Sequence, residues 1–219
     1  MAPNPTEART AVLARIRAAL AAGPAPQPPV PDWTTPLHPP LPAADDLAVV
    51  FAERFVRAGG EFYYAETLAQ LGAQLRDYLA DLAAAGHPRF FVWEPEMQAV
   101  LTAADVPFVA DETEFLPHAD AGLTSCEALV ARTGSVLVSA GTAAGRRLSI
   151  YPDQHLVLAR PAQVVAEIGE ALAGLKQHYG TALPSMVSLT TGPSRTADIE
   201  KTLVLGAHGP RRLALFMLE

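Results

Sequence analysis

Between Pro5 and Ala22 the apolar residues Val12, Ile16 and Leu20 recur every four positions, which predicts an amphipathic helix. Asn4 can cap it, Pro5 suits the first helical position and Glu7 lies in the first turn. Gly23-Pro24 ends the pattern, and nine of the chain's 20 prolines then fall between Gly23 and Pro42. Such a stretch favours an extended connection over a folded layer. The chain therefore divides into an N-terminal helix (1–22), a Pro-rich linker (23–44) and a domain from residue 45 to 219. An isolated helix of this length is marginal in water, so Val12, Leu13, Ile16 and Leu20 are expected to lie against the main domain or a second copy of the chain. A homodimer through this helix is one of the arrangements open to it.

After residue 45 helical periodicity alternates with short β-rich runs. "DLAVVFAERFVRAGG", "TLAQLGAQLRDYLADLAAAG", "PEMQAVLTAA", "TSCEALVAR", "PAQVVAEIGEALAGLKQH" and "TADIEKTLVLG" read as helices. "EFYYA", "RFFVWE", "VPFVA", "GSVLVSA", "HLVLAR", "SMVSLT" and "RRLALFML" read as strands. Strands apolar on both faces, separated by helices long enough for crossovers, predict an α/β fold: a mostly parallel sheet with helices on both faces. The strands starting near Arg89, Ser135, His155, Ser185 and Arg211 are expected to share one sheet.

The formal charge of −7, from 16 basic and 23 acidic residues, is spread along the chain, and no Lys/Arg stripe interleaves with aromatics. That argues against a nucleic-acid partner. The N-terminal segment lacks a basic stretch ahead of a continuous apolar core, because Arg15 and Arg17 interrupt its apolar run, and no window approaches the roughly 20 apolar residues of a membrane span. One cysteine, Cys126, cannot make an intramolecular disulfide or by itself hold an iron–sulfur cluster or a thiolate zinc site. A soluble protein of the reducing cytoplasm is expected, with Cys126 as a small buried residue and no metal or cofactor in this chain.

In an open α/β sheet ligands bind beyond strand carboxyl ends, and Gly192 to Thr196 reads as such a place. Gly192 permits close backbone approach, Pro193 stiffens the turn, Ser194 and Thr196 offer hydroxyls, and Arg195 is a forked partner for an anion at a helix start. The alternative is that Thr196 caps the helix and Arg195 pairs with Asp198 or Glu200, carboxylates that would repel a phosphate. Thr133-Gly134 reads as a turn, while Arg146 and Arg147 lie in a loop of small residues and face either a carboxylate or solvent. His155 and His208 stand next to strand ends, where a histidine is either a hydrogen-bonding structural group or a ligand. Convergence of Arg195, Thr133, His155 and His208 on one cleft would favour a ligand function.

The blocks "GLTSCEALVARTGSVLVSA", "LSIYPDQHLVL" and "GPSRTADIEKTLVLGAHGP" resemble the lactate utilisation protein C family, whose members carry the lactate-utilisation domain; the resemblance runs from about residue 45 to 219. It implies a Rossmann-like layered sheet of the sugar-isomerase and CoA-transferase type. It also implies a part in oxidising L-lactate to pyruvate with two partner proteins, at least one bearing iron–sulfur clusters. The motif positions that carry over are Gly192, Pro193, Ser194, Arg195, Thr196, Asp198, Glu200, His208, Gly209 and Pro210, with Thr133, Gly134 and His155 from the earlier blocks. Arg132 departs from the family's usual acidic residue, and Glu127 stands where an Asp is common. Two functions remain open on these residues. One is an accessory subunit whose partners move the electrons. The other is an enzyme or binding module for a small acid, sugar phosphate or acyl thioester at the Gly192 to Thr196 loop.

Overall fold

The computed structural model describes residues 5–23, 29–32, 38–39, 41, 47–113, 115–199 and 202–219. Two units are separable, Met1–Pro40 and Leu41–Glu219. In the first, helix α1 (Pro5–Ala21) ends at Gly23, whose φ of 80° turns the chain out of the helix. Its Val12, Leu13, Ile16 and Leu20, expected against another surface, are exposed. The capping residue Asn4, Glu200 and most of the Pro-rich linker lie outside the described residues, as does the expected boundary at residue 45.

The second unit runs α2 (Leu47–Arg57), β1 (Glu61–Ala65), α3 (Leu68–Ala84), β2 (Phe90–Val92), α4 (Pro95–Ala103), β3 (Ala121–Thr124), β4 (Ala128–Val130) and β5 (Ser135–Ser139). It continues with β6 (Gln154–Ala159), β7 (Val164–Val165), α5 (Ile168–Tyr179), β8 (Val187–Thr190), β9 (Arg195–Ile199), β10 (Thr202–Leu205) and β11 (Arg212–Leu218). Local sequence accounts for the helix starts. Thr67 accepts a hydrogen bond from the Gln70 amide at 3.2 Å while the Gln70 side chain accepts from Thr67 N–H, so α3 begins in a capping box. Pro95 opens α4, where a missing N–H costs nothing.

Five parallel strands form the main sheet, in the order β1-β11-β6-β3-β2. Leu71, Leu75, Tyr78 and Leu82 of α3 and Leu101 of α4 pack on one face, against Leu123, Leu156 and Phe216. On the other face Phe51 and Phe55 of α2 meet Val157, Leu215 and Met217. Full burial of each phenylalanine contributes about 1.5–3 kcal/mol. That second face is shared with a smaller sheet, β7-β4-β5-β8, whose outer side is covered by Ala171 and Leu175 of α5.

Several expected elements differ. The runs near Ser135 and Ser185 leave the main sheet: β5 pairs antiparallel with both β4 and β8 in the smaller one. The continuous apolar character of β5 comes from lying between α2 and the main sheet on one side and α5 on the other, whereas β8, at the edge of the smaller sheet, exposes Val187 and Leu189. "TSCEALVAR" is the end of β3, a loop and β4, because Ala128 and Val130 face α5 while Leu129 and Ala131 face α2, a period of two. "TADIEKTLVLG" forms a hairpin, with Thr202 opposite Ile199 and Val204 opposite Thr196. Its base is closed by Gly206 N–H on Ser194 O at 3.0 Å and Ser194 N–H on Pro210 O at 2.9 Å, so no helix follows Gly192. The segment at Pro161 opens with a 3-10 turn and β7 before α5 starts at Ile168. The "VPFVA" run contributes a single bridge, Val109 to Phe91. Among the described residues no helix is long and apolar enough to cross a membrane.

Candidate functional site

The motif residues cluster around the end of α2, at the amino ends of the main strands. Gly192 has φ +71°, and a Cβ there would stand 2.2 Å from the Ala58 carbonyl oxygen. Gly134 has φ +63°, and its Cβ would meet Phe55 N at 2.4 Å. Both turns therefore need glycine so that backbone can lie on backbone. The Arg195 guanidinium donates to Ala58 O, and that of Arg54 donates to Arg132 O. Arg195 is thus a clasp on a helix-end carbonyl, and the helix start expected to receive an anion is absent.

The other sequence candidates are dispersed. Gly192, Pro193, Ser194, His208 and Gly209 line a groove of about 200 Å³ beside Ile150 and Leu213. Thr133 lies in a separate depression with Arg54, Arg57 and Arg132. Its Oγ1 accepts from Ser135 Oγ at 2.6 Å, and Ser135 Oγ stands 2.7 Å from Thr191 Oγ1. Arg132 forks onto Glu167 at 2.7 and 2.8 Å, which gives the departure from the family pattern a local partner. His155 is 2% exposed, and its Nε2 lies 2.9 Å from Thr124 Oγ1. Burial lowers its pKa to about 4, so it is neutral near pH 7. Thr196 pairs in the hairpin through its backbone, and the side chain of Asp198 lies outside the described side chains. Arg195, Thr133, His155 and His208 do not share a cleft. Arg146 donates to Ser185 O at 3.1 Å, and Arg147 pairs with Glu112.

A larger cavity, about 640 Å³, opens at the other end of the main sheet, beyond the carboxyl ends of β2, β3, β6 and β11. Glu94, two residues after β2, is 6% exposed and accepts from Ser125 N–H at 2.9 Å and from the Ser125 hydroxyl. Glu127 is 12% exposed at its side chain. It accepts from Ser139 Oγ at 2.5 Å and Tyr179 OH at 2.7 Å on one oxygen, with His178 Nδ1 3.7 Å from the other. Gln163 donates to Cys126 O at 2.6 Å and accepts from Arg160 N–H at 2.8 Å, while Arg160 Nη1 donates to Glu219 O at 2.8 Å. Apolar wall comes from Met97, Val100 and Leu158.

These groups can bind and move protons. The buried Glu94 and the partly buried Glu127 carry hydroxyl partners and face one cavity, the arrangement from which general bases are drawn. Cys126 lines the same cavity, but burial, and after it the charges of Glu127 and Glu94, push its thiol well above the usual range, so it remains protonated. One protonated thiol does not fit the thiolate set of an iron–sulfur cluster. Among the described residues no three His, Cys, Asp or Glu side chains are grouped to hold a metal. Residue-level reasoning did not single out Glu94, Ser125 or Glu127. The available signal was a polar residue just past each strand end, at Glu94 before Pro95 and at Ser125 after "GLT", and it was hidden where "TSCEALVAR" read as a helix.

Comparison with known proteins adds a second line. Residues 110–218 match the family described as the LUD domain. An uncharacterized protein of Neisseria meningitidis serogroup B is 36% identical over 107 residues, 49% of this chain and 46% of its own length. Proteins named Lactate utilization protein C in Bacillus licheniformis and Bacillus subtilis are 34% and 31% identical over 104 residues, 47% of this chain and 43% of theirs. The matches thus span less than half the length of these relatives. The crystal structure of a DUF162 family protein from Deinococcus radiodurans superposes with a TM-score of 0.55 at 24% identity, covering 82% of this chain and 100% of that one, a likeness of fold.

Proposed function

Because residues 110–218 make this chain a member of the LUD domain family, we propose that it works in L-lactate utilisation, as a component of a system that oxidises L-lactate to pyruvate. Two partner proteins, at least one carrying iron–sulfur clusters, supply the electron transfer, and the assembly works in the cytoplasm. The observation that carries the reading is the match to proteins named Lactate utilization protein C, beside the LUD domain match over residues 110–218, which hold Glu127 and the Gly192 to Pro210 hairpin base. Chemistry in the cleft agrees with it: carboxylates, hydroxyls and an exposed guanidinium suit binding and proton transfer, whereas Cys126 is buried and protonated. The groove of the Gly192 to Thr196 loop gives weaker support to a stand-alone anion-binding module, since Arg195 is spent on Ala58.

The test is reconstitution. Lactate oxidation is measured with the purified chain and its two partners, and again with each left out. Omission of this chain is expected to abolish pyruvate formation. Full activity without it would overturn the reading.

A further inference from the structure

Strand β8 is the outer strand of the smaller sheet, paired with β5 along one edge and, among the described residues, with no strand along the other. Ala140 N–H donates to Met186 O at 3.0 Å, so Val138–Ser188 and Val136–Thr190, in the same register, are the hydrogen-bonded pairs of this antiparallel ladder. The intervening Val187 and Leu189 therefore turn their N–H and C=O groups to the open edge. Ser185 faces the same way, and its carbonyl accepts from Arg146 at 3.1 Å. The devices that keep a monomer's sheet edge from pairing are missing here. A charge on the strand, a proline within it or a bulge would supply one. From Gly180 to Ser194 the chain holds no charged residue, β8 contains no proline, and its register with β5 is unbroken. Val187 and Leu189 are instead apolar and each 38% exposed, on the face of the sheet that carries Leu137.

We infer that this edge is a homodimer interface, at which β8 of a second copy of the chain pairs antiparallel with β8 about a two-fold axis at Ser188. The strand is complementary to itself there. Val187 of each copy stands opposite Leu189 of the other, so every outward N–H meets an outward C=O, and the exposed apolar side chains meet across the axis on one face. A slip of one residue would set outward groups against inward ones. Centring on Val187 would put Leu189 opposite the Ser185 carbonyl that Arg146 already holds, and centring on Leu189 would reach past the strand to Thr191. The pairing joins four strands from each copy into one continuous sheet. Copies of a chain with a formal charge of −7 repel one another, and the uncharged stretch from Gly180 to Ser194 is where they approach without bringing like charges together.

Sedimentation of the purified full chain over a dilution series tests the inference and is expected to show a reversible dimer. Leu189→Lys sets a charge opposite Val187 on both sides of the axis and is expected to weaken association about tenfold or more, while circular dichroism reports an intact fold. Ser188→Cys is expected to give a disulfide-linked dimer on mild oxidation, because directly opposed residues at a non-hydrogen-bonded position lie about 4.5 Å apart at Cα, within disulfide reach. The parent chain, whose Cys126 is buried, and Glu53→Cys, on the exposed side of α2, are expected to give none. A monomer at every concentration would overturn the inference, whether or not another protein covers the β8 edge. So would a dimer that Leu189→Lys leaves intact, as pairing through α1 would give, or a Ser188→Cys chain that cross-links no better than Glu53→Cys.

Discussion

The two ends of the main sheet use polar residues in opposite ways. At the amino ends, Gly134, Gly192, Arg54 and Arg195 bring backbone onto backbone around the last turn of α2, and their donors are consumed by the Arg132 and Ala58 carbonyls. At the carboxyl ends, Glu94 and Glu127 are held by hydroxyls and still face a cavity. The most motif-like sequence thus lies at the packed end and the open chemistry at the other. A dense run of Gly, Pro, Arg and Thr signals a demanding backbone path before it signals a ligand.

Four measurements can break or sharpen this contrast. The largest effect is expected from Gly192→Ala, which combines a left-handed φ with a collision against Ala58 O and should cost about 3 kcal/mol or more in denaturant unfolding. Lactate binding per folded molecule should be unchanged. If stability held and binding fell, the amino-end turn would be a ligand site after all.

His155 lies in the core and belongs to neither end, and its effect is read through pH. The folded-state pKa of about 4 lies below the ordinary 6.5, so the unfolded chain takes up the proton first as pH falls. The contribution to stability is complete above pH 6.5, declines as pH drops and is gone below about 4, a span of about 3 kcal/mol. Unfolding across that range should show a shallower pH dependence in His155→Gln than in the parent.

Ser125→Ala leaves the Glu94 carboxylate with the Ser125 N–H as its remaining donor from that residue. It should cost about 1–2 kcal/mol and weaken lactate binding in titration. Arg195→Ala, the smallest change, removes one clasp on Ala58 O and should cost about 0.5–1.5 kcal/mol by melting or denaturation, with lactate-dependent activity following the amount of folded protein. Lost activity at unchanged stability would place Arg195 on a ligand and dissolve the contrast.

The alternation of apolar helices and strands determined the α/β class and nearly all element positions from α2 to α4, because periodicity and capping signals such as Thr67 to Gln70 act within a few residues. Local pattern also marked Gly134 and Gly192 as turn residues, which their positive φ values reflect. It did not reveal that β5 and β8 pair antiparallel in a second sheet, since a strand such as β5, buried on both faces, reads the same in either sheet. Nor did it distinguish helix from strand at Ala128 to Val130, where the deciding neighbours, α2 and α5, come from distant parts of the chain. The cleft was hidden for the same reason. Glu94, Glu127 and Tyr179 are 33 to 85 residues apart in sequence; the parallel strands β2 and β3 bring the first two to one edge and α5, packed on the smaller sheet, brings the third, so that burial and shared hydroxyl protons turn three ordinary side chains into a site.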